Sequence, residues 1–170
     1  MNTLKTVVTL LSGISDFDSF ELKELNRLDF NWKYKPILIG GKLKEIFNLR
    51  ESGFDIDLIV NKVDYKKMFK IKEMIILGQL GERGSSILTN GIQFEFWETI
   101  MKLDYNYWIN NALECKNFYI LSPFDQIAMS TFASMVLKPE KREKQIRDAQ
   151  ALSEKISDIL YPENIRTQLI

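Results

Sequence analysis

The chain has 170 residues, 45% of them apolar and 27% charged, with 23 basic residues against 23 acidic ones. That length suits one domain with a real core, and 8 glycines with 4 prolines are too few for a low-complexity chain. The balanced charge gives no global field toward nucleic acid or anionic lipid. There is no histidine and one cysteine, Cys115. Imidazole bases, histidine-ligated metals, intramolecular disulfides and thiolate clusters are therefore excluded. Any chemistry falls to carboxylates, lysines, hydroxyls and hard metal ions. Apolar runs such as 7–11 and 37–39 fall far short of the ~18–20 residues of a membrane span. The N-terminus does not read as a signal peptide, so a cytoplasmic protein without membrane contact is expected.

In chain order, the spacing predicts a helix over 3–12 and an amphipathic helix over 17–30 carrying Phe17, Phe20, Leu25 and Leu28. Pro36 opens a short buried strand, Ile37-Leu38-Ile39, which ends in Gly40-Gly41. Residues 42–49 read as a helix with Leu43, Ile46 and Phe47 inward, and Ser52-Gly53 breaks it. A second strand follows over 54–60, then a helix over 64–80 with Met68, Ile71, Ile75 and Leu80 inward. Asn90-Gly91 between the arms 86–88 and 92–97 is a strong hairpin signal. A helix is expected over 104–114 and a strand over 118–121. Ser122-Pro123 has the pattern of an N-cap followed by proline that starts a helix. A charged break over 138–144 precedes a last helix holding Ile146, Ala149, Leu152, Ile156 and Ile159. The order implies an α/β or α+β fold, a sheet flanked by helices with a helical C-terminal part. Residues 1–170 are expected to form a single domain, with an α/β core over 1–121, N-terminal helices included, and a helical part over 122–170.

The chemistry concentrates between Ile37 and Val60. Strand alternation puts Asp55 and Asp57 on one side of a sheet, about 7 Å apart at the backbone. Side chains at that separation can converge on hard cations such as Mg²⁺ or Mn²⁺, which prefer oxygen ligands shared with phosphates. Gly40 and Gly41 would let the backbone approach a triphosphate closely. Glu95, alternating with Phe94 and Phe96 after the hairpin turn, could reach the same ion from a neighbouring strand. The aromatic stretch from Phe94 to Trp108 reads chiefly as core, with base stacking as a second use. The cations between Lys138 and Arg147 read as a solvated helix junction, with RNA-backbone contact as the alternative.

Gly40-Gly41, a helix, Arg50-x-Ser52 and Asp55-Ile56-Asp57 together resemble the signature of the nucleotidyltransferase superfamily, the DNA polymerase β-like fold. The likeness is nearest to minimal bacterial members that include AbiEii-type toxins of toxin–antitoxin systems. The segment 120–128 is similar to the one that opens the helical part of those proteins. Arg147-Asp148-Ala149-Gln150-Ala151-Leu152 is similar to their closing helix. The resemblance implies a nucleotidyltransferase-like mixed sheet and transfer of a nucleoside monophosphate from an NTP to a hydroxyl. The acceptor would be RNA (tRNA is the family precedent), a protein or a small molecule, and a neutralising partner protein is implied. Asp55, Asp57 and Glu95 would be the metal ligands and catalytic acids. Gly40, Gly41, Lys42, Arg50 and Ser52 would contact the nucleotide. Three departures stand out: Lys42 where the family has a small hydroxyl residue, Ser130 near a functional lysine of the toxins, and Gln150 or Ala151 at an acidic position. Arg50, Arg83 and Arg147 are candidates for the missing cation. The alternative expectation is an inactive module of the same fold that binds a nucleotide or a partner protein.

Overall fold

The computed structural model describes residues 3–71, 74–79 and 82–162. Helix α1 (Thr3–Ser12) buries Val7, Val8 and Leu11. Strand β1 (Ile37–Ile39) leads into helix α2 (Gly40–Ile46), which is followed by β2 (Asp55–Ile59) and α3 (Lys62–Met68). Three strands come next, β3 (Ile75–Gln79), β4 (Glu82–Thr89) and β5 (Ile92–Trp97). A small hairpin of β6 (Thr99–Ile100) and β7 (Leu103–Asp104) precedes α4 (Tyr105–Ile109), β8 (Ala112–Glu114) and β9 (Tyr119–Leu121). Helices α5 (Pro123–Val136) and α6 (Pro139–Leu160) pack together as a pair, and α6 also packs on α1. Among the described residues no helix is long and apolar enough to cross a membrane.

The fold is therefore mixed α/β, built on a seven-stranded sheet of order β3-β4-β5-β2-β1-β9-β8. β2 runs parallel to β5 and antiparallel to β1, and β1 runs parallel to β9. The central strands β1, β2 and β5 bury Ile37, Leu38, Leu58, Ile59, Phe94 and Phe96 almost completely. At roughly 1.5–3 kcal/mol for each large apolar side chain removed from water, this layer anchors the molecule. The β4–β5 turn is as the dipeptide dictates. Asn90 and Gly91 have φ of 49° and 76°, the two left-handed residues that a two-residue hairpin loop needs. Ser122 caps α5, its hydroxyl accepting the Phe124 N–H at 3.2 Å.

Four sequence expectations are corrected. Residues 17–30 form only a 3-10 helix, Lys23–Arg27. Asp16 Oδ1 accepts the N–H groups of Asp18 and Ser19, and Asn117 takes both the N–H and the carbonyl of Leu22. The Asp16 contacts cap a single turn over 17–19, and the Asn117 side chain takes the two Leu22 backbone groups that a continuing helix would pair. The helix expected over 64–80 stops at Met68, because the β-branched Ile75-Ile76 pairs with Ser86 and Ser85 as strand β3. Leu80, expected to face inward, lies outside the described residues. The helix over 104–114 ends at Ile109, and Ala112–Glu114 pairs with β9 instead. The charged break is absorbed: α6 starts at Pro139, only Lys138 holding the extended conformation a residue before proline adopts.

Candidate functional site

Strand register builds the site. Asp57 of β2 lies directly opposite Glu95 of β5 on one side and Ile39 of β1 on the other. Directly opposed residues share a face, so Asp55, Asp57, Glu95 and Trp97 all stand on the side of the sheet that faces α5 and α6. Together with Gly40, Gly41, Lys44, Arg50, Gln126 and Ser130 they line a cleft of about 430 Å³. That volume lies in the range of small-molecule sites.

The acidic floor is tense. Burial together with the nearby charges of Glu95 and Asp55 pushes the Asp57 carboxyl up from the ordinary 3.8 to about 8. Hydrogen bonding to Glu95 acts in the same direction, and the Trp97 side chain, donating to the carboxylate, acts against it. Gln93 Nε2 donates to Glu95 Oε1 at 2.9 Å, fixing that side chain from its own strand. Asp55 is exposed at the mouth, where a Cβ on Gly53 would come within 2.7 Å of its Oδ1.

Gly40 has φ of 69°, and a Cβ there would stand 2.0 Å from Asp57 Oδ2. No side chain fits between the turn and the acid. The Gly40 N–H donates to Gln126 Oε1 at 3.0 Å, and Gln126 Nε2 in turn donates to the Ser130 hydroxyl at 3.3 Å. The amide expected to meet a phosphate is thus engaged by α5. Gly41 keeps the other flank open: a Cβ there would lie 3.8 Å from an Arg50 terminal nitrogen.

Opposite the acids stands a basic wall. Lys44 is only 2% exposed, and its Nζ donates to Asp148 Oδ2 at 2.7 Å and Gln145 Oε1 at 3.0 Å. Burial draws the Lys44 ammonium below its ordinary range, and the Asp148 carboxylate counters this. Arg50 Nε meets both Asp148 oxygens at 3.2 Å, so one buried carboxylate of α6 fixes two cations. Lys141 and Lys144 add two more along the cleft.

The chain matches no family model, no curated protein and no solved structure.

The structure thus brings together Asp55, Asp57, Glu95, Gly40, Gly41 and Arg50. It places Lys42 and Ser52 elsewhere. Lys42 Nζ lies 3.4 Å from Glu24 and 3.3 Å from Glu45, along a separate hollow of about 610 Å³ on another side of α2. The Ser52 hydroxyl bonds Glu45 Oε2. Arg83 pairs with Glu98 at 3.3 Å and Arg147 is exposed, neither of them lining the cleft. Sequence reading missed Lys44, whose place one turn beyond the glycine pair resembled an ordinary solvated helix position. Its signal lay in Asp148, the acid of the closing motif. As a metal centre, the donor set Asp55, Asp57 and Glu95 consists wholly of hard oxygens, and a divalent cation would offset the repulsion that lifts Asp57. As they stand, no three acidic or cysteine side chains among the described residues are gathered tightly enough to hold an ion.

Proposed function

We propose that the chain is a nucleotidyltransferase that moves a nucleoside monophosphate from an NTP to a hydroxyl acceptor. The observation that carries this reading is one cleft with two chemically opposed walls. Asp57 and Glu95 sit side by side on one wall, and Arg50 and Lys44, fixed by Asp148, stand on the other. Acidic oxygens suit a divalent ion and an acceptor proton, and fixed cations suit a phosphate chain. Asp57 and Glu95, joined by Asp55, would hold Mg²⁺ or Mn²⁺. Such an ion, when bound, activates an attacking oxygen and stabilises a leaving one.

The chain's own residues perform the remaining tasks. Gly40 leaves Asp57 room to reach the cleft floor, and Gln93 and Trp97 orient the two acids. Arg50 presents a guanidinium whose Nε is already committed to Asp148, so little orientation freedom is lost on binding phosphate. Ionised Asp57 or Glu95 can accept the proton that leaves an acceptor hydroxyl. The apolar side of the cleft, with Met129 and Phe132 of α5 and Met101 of the small hairpin, offers a surface for a base. The acceptor class proposed first is RNA, with a protein or small-molecule hydroxyl as the alternatives.

The test is incubation with each labelled NTP, Mg²⁺ or Mn²⁺ and total RNA, alongside Asp57→Ala. Label on an acceptor with release of pyrophosphate, both lost in the variant, is the expected result. Binding of NTP without any transfer would instead favour an inactive module of this fold. No nucleotide binding would remove the reading altogether.

A further inference from the structure

We propose that the solvent-facing stripe of α5 is the interface of a symmetric dimer, in which the helix packs antiparallel against α5 of a second copy of this chain. The inference does not use the nucleotidyl-transfer reading. It arises from a helix that carries almost no charge. Of the 14 residues of α5, Asp125 alone is charged. Surface helices ordinarily turn charged side chains to water. Here the exposed stripe is Phe124, Ala128, Thr131 and Met135, with Phe124 46% and Met135 68% exposed. Steps of four, three and four residues keep these side chains on one line of the helix. Gln126, Met129 and Ala133 line the cleft from the opposite side of α5. The stripe is therefore spare, used neither by the core nor by the cleft.

The stripe is complementary to itself. A two-fold axis across its middle, between residues 129 and 130, faces Phe124 with the second copy's Met135 and Ala128 with its Thr131. The small pair at the centre lets the two backbones approach, and the large pair closes each end with an aromatic ring against a thioether. Charge selects the same orientation. Asp125 flanks one end of the stripe, and the exposed Lys138 lies just past the other. Among the described residues neither meets an opposite charge within ion-pair distance. Antiparallel pairing brings Asp125 of each copy to the end that holds Lys138 of the other, whereas a parallel pair would set like charges together. Area sets the strength. From residue 124 to residue 135 the helix advances about 16 Å. One pair of helix faces of that length buries less than the ~1,200 Å² at which stable interfaces begin, so the dimer is weak, with Kd of ~10 µM or above. Both clefts stay open, because they lie on the far side of each α5.

The experiment is sedimentation equilibrium on the full chain over about 1 to 300 µM. The mass is expected to rise with concentration from 19.9 kDa, that of one chain, toward twice that value. The variant Ala128→Glu/Thr131→Glu sets like charges against each other at the axis. It keeps its circular dichroism and dimerises about tenfold more weakly or not at all. Met135→Glu places a second acid beside the other copy's Asp125 and is expected to weaken the pair in the same way, so the result does not depend on the folding of one variant. A monomer at every concentration would overturn the proposal and leave the stripe to a different protein. A dimer that survives both substitutions would overturn it too, since such a dimer uses another surface.

Discussion

Among the described residues Asp148 is the only carboxylate that meets Lys44, but it has a second cation in Arg50, and this asymmetry makes a sharp test. Lys44→Met removes one partner from a buried pair, yet Asp148 keeps Arg50 at 3.2 Å. Asp148→Leu is harsher, because among the described residues a lysine only 2% exposed then retains Gln145 alone. Breaking a buried pair from one side costs about 3–5 kcal/mol. Lys44→Met should fall at or below the lower end, near 2–3 kcal/mol, and Asp148→Leu near the upper end. The double variant Lys44→Met/Asp148→Leu replaces the pair with apolar groups and should recover about half or more of the larger loss, since such replacement is often neutral. Urea unfolding at constant m-value measures all three. For a chain of this length 1 kcal/mol corresponds to about 2–4 °C in Tm, so thermal scans should separate the variants by several degrees. If Asp148→Leu is no worse than Lys44→Met, or if the two losses simply add, the buried network described above is wrong.

Three other outcomes follow from the cleft. The Asp57 carboxyl, raised from 3.8 to about 8, binds its proton more tightly in the folded chain than in the unfolded one. Its contribution to stability is therefore complete below 3.8 and is lost as pH rises through about 8. In EDTA, unfolding free energy should fall across that window by about 1.4 kcal/mol per pH unit from this group, and Asp57→Asn should abolish that slope. Gly40→Ala should destabilise far more than Gly91→Ala. Both place alanine at positive φ, at a cost of about 1–2 kcal/mol, but only residue 40 also drives a Cβ into Asp57. Denaturation midpoints compare them directly, and equal losses would contradict the contact. Trp97 lines the cleft and touches Asp57, so NTP with Mg²⁺ should change tryptophan emission, and Asp57→Ala should abolish the change.

Much of this architecture could be read locally. Asn90-Gly91, Ser122-Pro123 and the strand Ile37–Ile39 each carry their conformation in two or three adjacent residues, and the fold follows them. The facing of Asp57 and Glu95 needed one non-local fact, the parallel β2–β5 register, which alternation narrows but does not fix. What escaped was set across long separations. Lys44 is buried because Asp148, 104 residues away, comes to it. Residues 75–79 become strand because β4 offers an edge, where periodicity alone fits a helix. Residues 17–30 lose their helix to an asparagine side chain 95 positions downstream. Local patterns specify turns and caps, and distant partners choose between a helix and a strand of the same hydrophobicity.

The contact between residues 40 and 57 makes them a single inheritable unit. With 2.0 Å between a hypothetical methyl group and Oδ2, any larger side chain at the first position evicts the acid at the second. A lineage that kept the acid in place would have to keep the glycine, and one that filled the turn would have to move the acid. The pairing of a bare glycine with an aspartate seventeen positions later is therefore a test to apply to any sequence suspected of sharing this scaffold: where the first is gone, the second cannot keep this position.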